Sequence, residues 1–329
     1  MSLTAASRTT SLPIAISVLH EIQWSSNTDR FGPRACPAAE LASELHPAVI
    51  SGRSRFHRRP RMTSELTFDD PGRDTNTFYR RTLHVLSDAR VPFLVGGSHA
   101  ILHYTGIIRE TKDFDLFVRR ADVEKALEAL ALAGYWTNIT FPHWLAKAKQ
   151  GTDHVDLVFS SGNGQCRVDE GWFDHAIEAD VLGMPVKIAP VEELLWQKSF
   201  IMERERYDGA DIMHLFRTCA EAIDWARLMQ RFEPQWHVLL VNLILFGFVY
   251  PSERHRVPPH VVGELLARLQ GELDSPPTED RVCRGTLVSR AQYLLDIGQY
   301  GYQDARIAPR GNMTPEDCVY WTWAIENVD

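Results

Sequence analysis

Two short apolar runs in the middle of the chain carry aspartates that a buried strand tolerates only if they are paired. The first is Asp113-Phe114-Asp115-Leu116-Phe117-Val118 and the second is His154-Val155-Asp156-Leu157-Val158-Phe159. Successive residues of a strand point to opposite faces, so Asp113 and Asp115 project together while Phe114, Leu116 and Val118 turn toward a core. Two carboxylates held this close repel each other unless a cation lies between them or one is protonated. An acid inside a β-branched run such as the second is costly unless it is paired or ligated. If the two strands are neighbours, three carboxylates converge. The plainer alternatives are a solvated strand face for Asp113 and Asp115, and a cross-strand Lys or Arg for Asp156.

The surrounding pattern predicts where these strands belong. Phe78, Leu83, Leu86 and Ala89 mark a helix, and Pro92–Gly96 a short buried strand ending in glycines. Ser98–Tyr104 reads as a short helix, Ala121–Ala133 as a strong one stopped by Gly134, and Tyr135–Thr140 as a strand. Val186–Ala189 is expected as an edge strand. From Val191 the chain reads as helical almost to its end, with loops near Pro251–Pro259 and Ser275–Pro277. The fold class expected is α+β. A small mixed sheet flanked by helices spans residues 62–190, a helical domain follows at 191–310, and residues 311–329 form a C-terminal tail. No internal repeat is visible.

At 329 residues, with 44% hydrophobic and 24% charged residues, the chain is long enough for about two domains of roughly 150 residues each. Cys36, Cys166, Cys219, Cys283 and Cys318 are scattered with no CxxC pair, which excludes a zinc ribbon and suits a reducing, cytoplasmic setting. Residues 1–61 are rich in Ser, Arg, Ala and Pro, contain no Lys, and close on the basic run Arg53–Arg61. They lack periodicity and read as a disordered or mis-annotated extension, with the functional protein starting near Met62. A transit peptide is the rival reading, and the four acids in the segment weigh against it. The body that remains is more acidic than the overall net charge of −8 indicates, so it has no general pull on nucleic acid. The apolar run Val238–Tyr250, broken by Asn242, is too short to span a membrane and is expected as a buried helix. Leu12–Leu19 lacks a basic start and a cleavage site.

Upstream of the paired acids, Gly96-Gly97-Ser98 falls where a strand gives way to a helix. Glycines there admit close backbone approach, and the helix start offers free N–H groups to a phosphate. Val95-Gly96-Gly97-Ser98, Arg109 to Val118 with Thr111 before the acids, and the later lone Asp156 together resemble the polymerase-β-like nucleotidyltransferase superfamily. The stretch from Lys198 to Leu215 is similar to the AbiEii-like branch, which includes toxin components of bacterial toxin–antitoxin systems. Lys198, Arg204, Asp208 and Asp211 fill that pattern. The resemblance implies an enzyme that moves a nucleoside monophosphate from a nucleoside triphosphate to a hydroxyl acceptor and releases pyrophosphate. Gly96, Gly97 and Ser98 would hold the triphosphate, with Lys198, Arg204, Asp208 and Asp211 nearby. Asp113, Asp115 and Asp156 would be catalytic and hold Mg²⁺ or Mn²⁺, as two ions. The acceptor would be a tRNA, a protein or a small molecule, and an antitoxin would be a possible partner. The alternative is a catalytically inactive protein of the same fold that binds a nucleotide or partner.

Three further features are weighed and set aside. His99 and His103 are spaced for zinc but lack the Glu of a zincin motif, so packing or solvent contact is expected. The aromatic group Tyr320, Trp321 and Trp323 is expected as core or a docking tail, and Arg290–Asp296 as a helix without chemistry.

Overall fold

In the computed structural model, residues 73–109 and 113–324 are described. The chain divides into two units between Thr67 and Phe68, so every described residue belongs to the second. The expectations for residues 1–61, Met62 and Thr111 lie outside the described residues.

A seven-stranded mixed sheet forms the frame, in the order β3-β4-β5-β2-β1-β7-β6. Its strands are β1 (Leu94–Val95), β2 (Asp115–Phe117), β3 (Trp136–Phe141), β4 (Leu145–Gln150), β5 (Asp153–Val158), β6 (Ile177–Val181) and β7 (Met184–Ile188). Helices α1 (Arg73–Asp88), α2 (Gly97–Thr105), α3 (Val123–Leu132) and α4 (Glu170–Asp174) flank it. Then come α5 (Val191–Ser199), α6 (Gly209–Cys219), α7 (Trp225–Arg231), α8 (Trp236–Val249) and α9 (Pro259–Leu273). This is the mixed α/β arrangement with C-terminal helices that the sequence predicts. The core is continuous, running from Phe78 on α1 through Leu116 and Leu157 of the sheet to Phe246 on α8 and Ala305.

Several elements depart from expectation. Leu145–Gln150 was not predicted, yet β4 forms a hairpin with β3 and pairs along the whole of β5. Its alternating Ala and Lys lack the β-branched signature of a strand, and pairing on both sides overrides propensity. The strand near Val186 is not an edge: β7 pairs parallel to β1 and antiparallel to β6, and β6 takes the edge. The helical reading also fails beyond Leu273. There β8 (Val282–Cys283) and β9 (Gln303–Asp304) make a two-stranded parallel sheet around the one-turn α10 (Leu294–Gly298). Only the end of Arg290–Asp296 is therefore helical. The last helix, α11 (Pro315–Trp323), starts at a capping box of Thr314 and Asp317.

The apolar run expected as a buried helix is α8, and only one side of it is buried. Leu239, Leu243 and Phe246 face the core, whereas Val241, Ile244 and Phe248 are exposed. Asn242 is buried and donates to the Val238 carbonyl, turning its polarity back onto the helix. Among the described residues no helix is long and apolar enough to cross a membrane.

Candidate active site

The parallel pairing of β2 with β5 decides how the acids meet. Its register sets Asp115 directly opposite Asp156, so the two carboxylates stand side by side on one face. Two residues earlier, His154 Nε2 on β5 lies 2.9 Å from Oδ1 of Asp113, which precedes β2 rather than belonging to it. On the other side of Asp156, the antiparallel register places Lys147 of β4 opposite it. The Lys147 ammonium donates to both Asp156 oxygens, at 2.7 and 3.0 Å. Asp156 thus faces Asp115 across one strand gap and carries a cross-strand lysine across the other. The cross-strand lysine weighed in the sequence for this residue is therefore present.

The glycine turn is shaped by β2. Gly97 has φ +52°, and a Cβ on it would overlap the Asp115 carboxylate; a Cβ on Gly96 would overlap the ring of Phe117. Each glycine is fixed by one β2 side chain on the face that carries Asp115 and Phe117. The turn opens directly into α2, whose first helical bond runs from Ala100 N to Gly96 O. The N–H groups ahead of it, including that of Ser98, have no partner within the helix.

Burial and the neighbouring charges of Asp156 and Asp113 push the Asp115 carboxyl up to about 6, although Lys198 and Arg206 pull the other way. Positive charge is thus in short supply at Asp115. The donors on this face are carboxylate oxygens, which suit a hard divalent cation. No three His, Cys, Asp or Glu side chains among the described residues already stand as a metal cluster. Asp113 and Asp156 are turned to His154 and Lys147 instead.

The opposing wall comes from α5 and α6. Lys198 Nζ lies 2.8 Å from both Asp208 Oδ2 and Asp211 Oδ2; Asp211 is buried and the other two side chains are nearly so. Asp211 also pairs with Arg109. Asp208 occupies the N-cap position of α6 without capping it, because its oxygens are taken by Lys198 and Arg206. A Cβ on Gly209 would displace the exposed ring of Tyr207.

Between these walls is a cavity of about 340 Å³ lined by Gly97, Asp113, Asp115, Asp156, Lys198 and Asp208. Arg206 lines it too and Arg204 does not. Glu203 N donates to Arg206 O in a tight turn, with Met202 bridged to Tyr207, which puts Arg204 and Glu205 at the tip. There Arg204 is 83% exposed and pairs with Glu205. The far side of the cavity was not foreseen: Trp144, Leu287, Arg290 and Trp321 form it. Trp321 therefore lines the cavity, while Tyr320 and Trp323 are exposed. His99 packs edge-on to Phe114 and Tyr79, and burial pushes its pKa down to about 4. His103 lies edge-on to Tyr104. Packing accounts for His99 and solvent contact for the exposed His103, the two outcomes expected.

Residues 75–234, from α1 through α7, match the model of a family described as nucleotidyl transferase of unknown function (DUF2204). This match supports the nucleotidyltransferase superfamily. Solved nucleotidyltransferases similar in shape include the antibiotic-resistance factor ANT(2'')-Ia, at 15% identity and TM-score 0.36 over 50% of this chain and 95% of that one. The lincosamide antibiotic adenylyltransferase LnuA is 17% identical, with TM-score 0.31 over 43% of this chain and 94% of that one. An antigenic nucleotidyltransferase-like protein from Paracoccidioides brasiliensis is 16% identical, with TM-score 0.38 over 56% and 94%. A comparison with curated proteins gives no match. The nucleotidyltransferase match ends at residue 234, so Leu287, Arg290 and Trp321 lie outside it although they line the same cavity.

Proposed function

We propose that this protein is a metal-dependent nucleotidyltransferase that moves a nucleoside monophosphate from a nucleoside triphosphate to a hydroxyl acceptor, releasing pyrophosphate. One observation carries the reading. Asp115 and Asp156 are paired in register on adjacent parallel strands, with the Gly96-Gly97 turn pressed against Asp115 at the cavity wall. Asp113, Asp115 and Asp156 would hold Mg²⁺ or Mn²⁺. When bound, the metal neutralises phosphate charge and lowers the pKa of the attacking hydroxyl.

The chain's own groups supply the rest. The start of α2, with Ser98, offers N–H groups to the triphosphate. Lys198, shared by Asp208 and Asp211, and the more exposed Arg206, paired with Asp208 alone, are the cations of this wall that would meet phosphate. Asp156, held in place by the Lys147 ammonium, accepts the hydroxyl proton. The Lys198–Asp208–Asp211 cluster supports the AbiEii-like branch, with its possible antitoxin partner, as the narrower form of the proposal. Cys166, Cys219, Cys283 and Cys318 are all free, which suits a cytoplasmic setting.

The binding-only alternative has one observation in its favour: Lys147 and His154 already engage two of the three acids. Incubation with labelled nucleoside triphosphates, Mg²⁺ and cell extract separates the two readings. Pyrophosphate release together with label on an acceptor, both lost in Asp115→Asn, is the outcome expected. Tight nucleotide binding without pyrophosphate release would leave only the binding reading.

A further inference from the structure

Strand order sets a direction across the cavity. Going from β1 to β4, one meets the glycine turn, Asp115 on β2, Asp156 on β5, and then Trp144, one residue before β4. If the phosphates lie on α2, the second substrate belongs on the far side of Asp156. That side is built largely from a segment distant in sequence. Trp321 of α11 lies 5.2 Å from the Trp144 ring at 75° and 4.9 Å from Phe141 at 87°. The Arg290 guanidinium is 4.7 Å from the Trp321 ring centre. Gly162 lies flush beneath, where a Cβ would overlap Trp321. Val158, two residues beyond Asp156 on the same strand face, contributes apolar surface to the cavity. Trp144 Nε1 is buried and finds no hydrogen-bond partner, although a buried indole N–H ordinarily has one.

We propose that this aromatic wall is the acceptor subsite, and that the acceptor is a small hydroxylated molecule bearing a flat aromatic ring. The ring packs against Trp144 and Trp321, a polar group of the acceptor takes the orphaned indole N–H, and its hydroxyl reaches Asp156. This rests on the nucleotidyl-transfer reading. The hydroxyl oxygen forms the new bond to the α-phosphorus as the bond from that phosphorus to the pyrophosphate oxygen breaks. Pyrophosphate leaves with its electron pair, and the hydroxyl proton passes to Asp156. A cavity of about 340 Å³ is in the range that holds small molecules. Its acid-rich face opposes a nucleic-acid strand, whose phosphates need a cationic surface.

The test uses the full chain and four probes: 4-nitrophenyl β-glucoside, methyl β-glucoside, a short single-stranded RNA, and a fluorescent ATP analogue with Mg²⁺. We expect the aryl glucoside to bind and the methyl glucoside and RNA not to. Trp321→Leu and Trp144→Phe should weaken the aryl glucoside at least tenfold and leave the ATP analogue within twofold. Trp321→Phe, which keeps a ring on α11, should fall between Trp321→Leu and wild type. Equal affinity for both glucosides overturns the proposal, as does RNA competing for the same site. An equal loss of ATP analogue and aryl glucoside in Trp321→Leu would assign the wall to the nucleotide base and overturn it too. Failure of the wild type to bind the ATP analogue overturns the transfer reading itself, whatever the glucosides do.

Discussion

Asp115 is the residue where structure and chemistry pull hardest against each other. Its carboxyl is raised to about 6, against an ordinary value of 3.8, by burial and by Asp156 and Asp113. A carboxyl raised in the folded state favours folding while protonated, and that contribution is lost as pH rises through about 6. At neutral pH its ionisation costs on the order of 2–3 kcal/mol. Asp115→Asn should therefore melt higher than wild type above pH 6, and the gap should close as pH falls toward 4. Melts across that range check this, and a gap that stays constant would show that Asp115 titrates normally. Mg²⁺ added at pH 7.5 should raise the wild-type melting temperature and leave the mutant nearly unmoved. Gly97→Ala should have the opposite effect on stability. It forces a Cβ into the Asp115 carboxylate at φ +52°, costing about 2 kcal/mol or more and displacing a candidate metal ligand. Thermal melts and Mg²⁺-dependent nucleotide binding should fall together.

At the scale of elements, one ammonium joins α5 to two carboxylates at the start of α6. Lys198 holds Asp208 and Asp211, and all three side chains are nearly dry. Lys198→Met should destabilise by up to about 3 kcal/mol, because Asp208 and Asp211 lose their shared cation and keep only Arg206 and Arg109. Lys198→Met combined with Asp211→Asn should recover part of that loss in a denaturation series, and simple additivity would show that the pair does not interact. The same elements show why some of the site was legible and some was not. β2 and β5 announce themselves because acids interrupt apolar alternation, and the glycines before α2 mark a close approach. β4 is invisible because Leu145-Ala-Lys-Ala-Lys-Gln has no strand signature, yet it supplies the lysine on Asp156. Between Arg204 and Arg206 the choice depended on which residues form the tip of a turn, and spacing alone does not encode that. Trp321 and Arg290 reach the cavity from the far end of the chain, where no local pattern refers to Asp156.

At the scale of the whole molecule, the sheet and its first helices carry the acids, while the C-terminal segment completes the cavity. A chain ending at Thr314 should lose α11 and Trp321, and with them the cover over Phe141 and Trp144. We expect a lowered melting temperature, retained binding of an ATP analogue, and loss of aryl glucoside binding. Complete unfolding on this truncation would instead make α11 part of the core. The turn at Glu203 links the two halves. Its carboxylate accepts from Ser289 Oγ at 2.7 Å and from the Arg290 backbone N–H at 2.9 Å, and Met202 N donates to Val288 O. The strap bearing Arg206 is thereby laced to the strap bearing Arg290. If an occupant of one half alters the affinity of the other, the effect is returned by the same factor, and this lacing is where such a coupling would run.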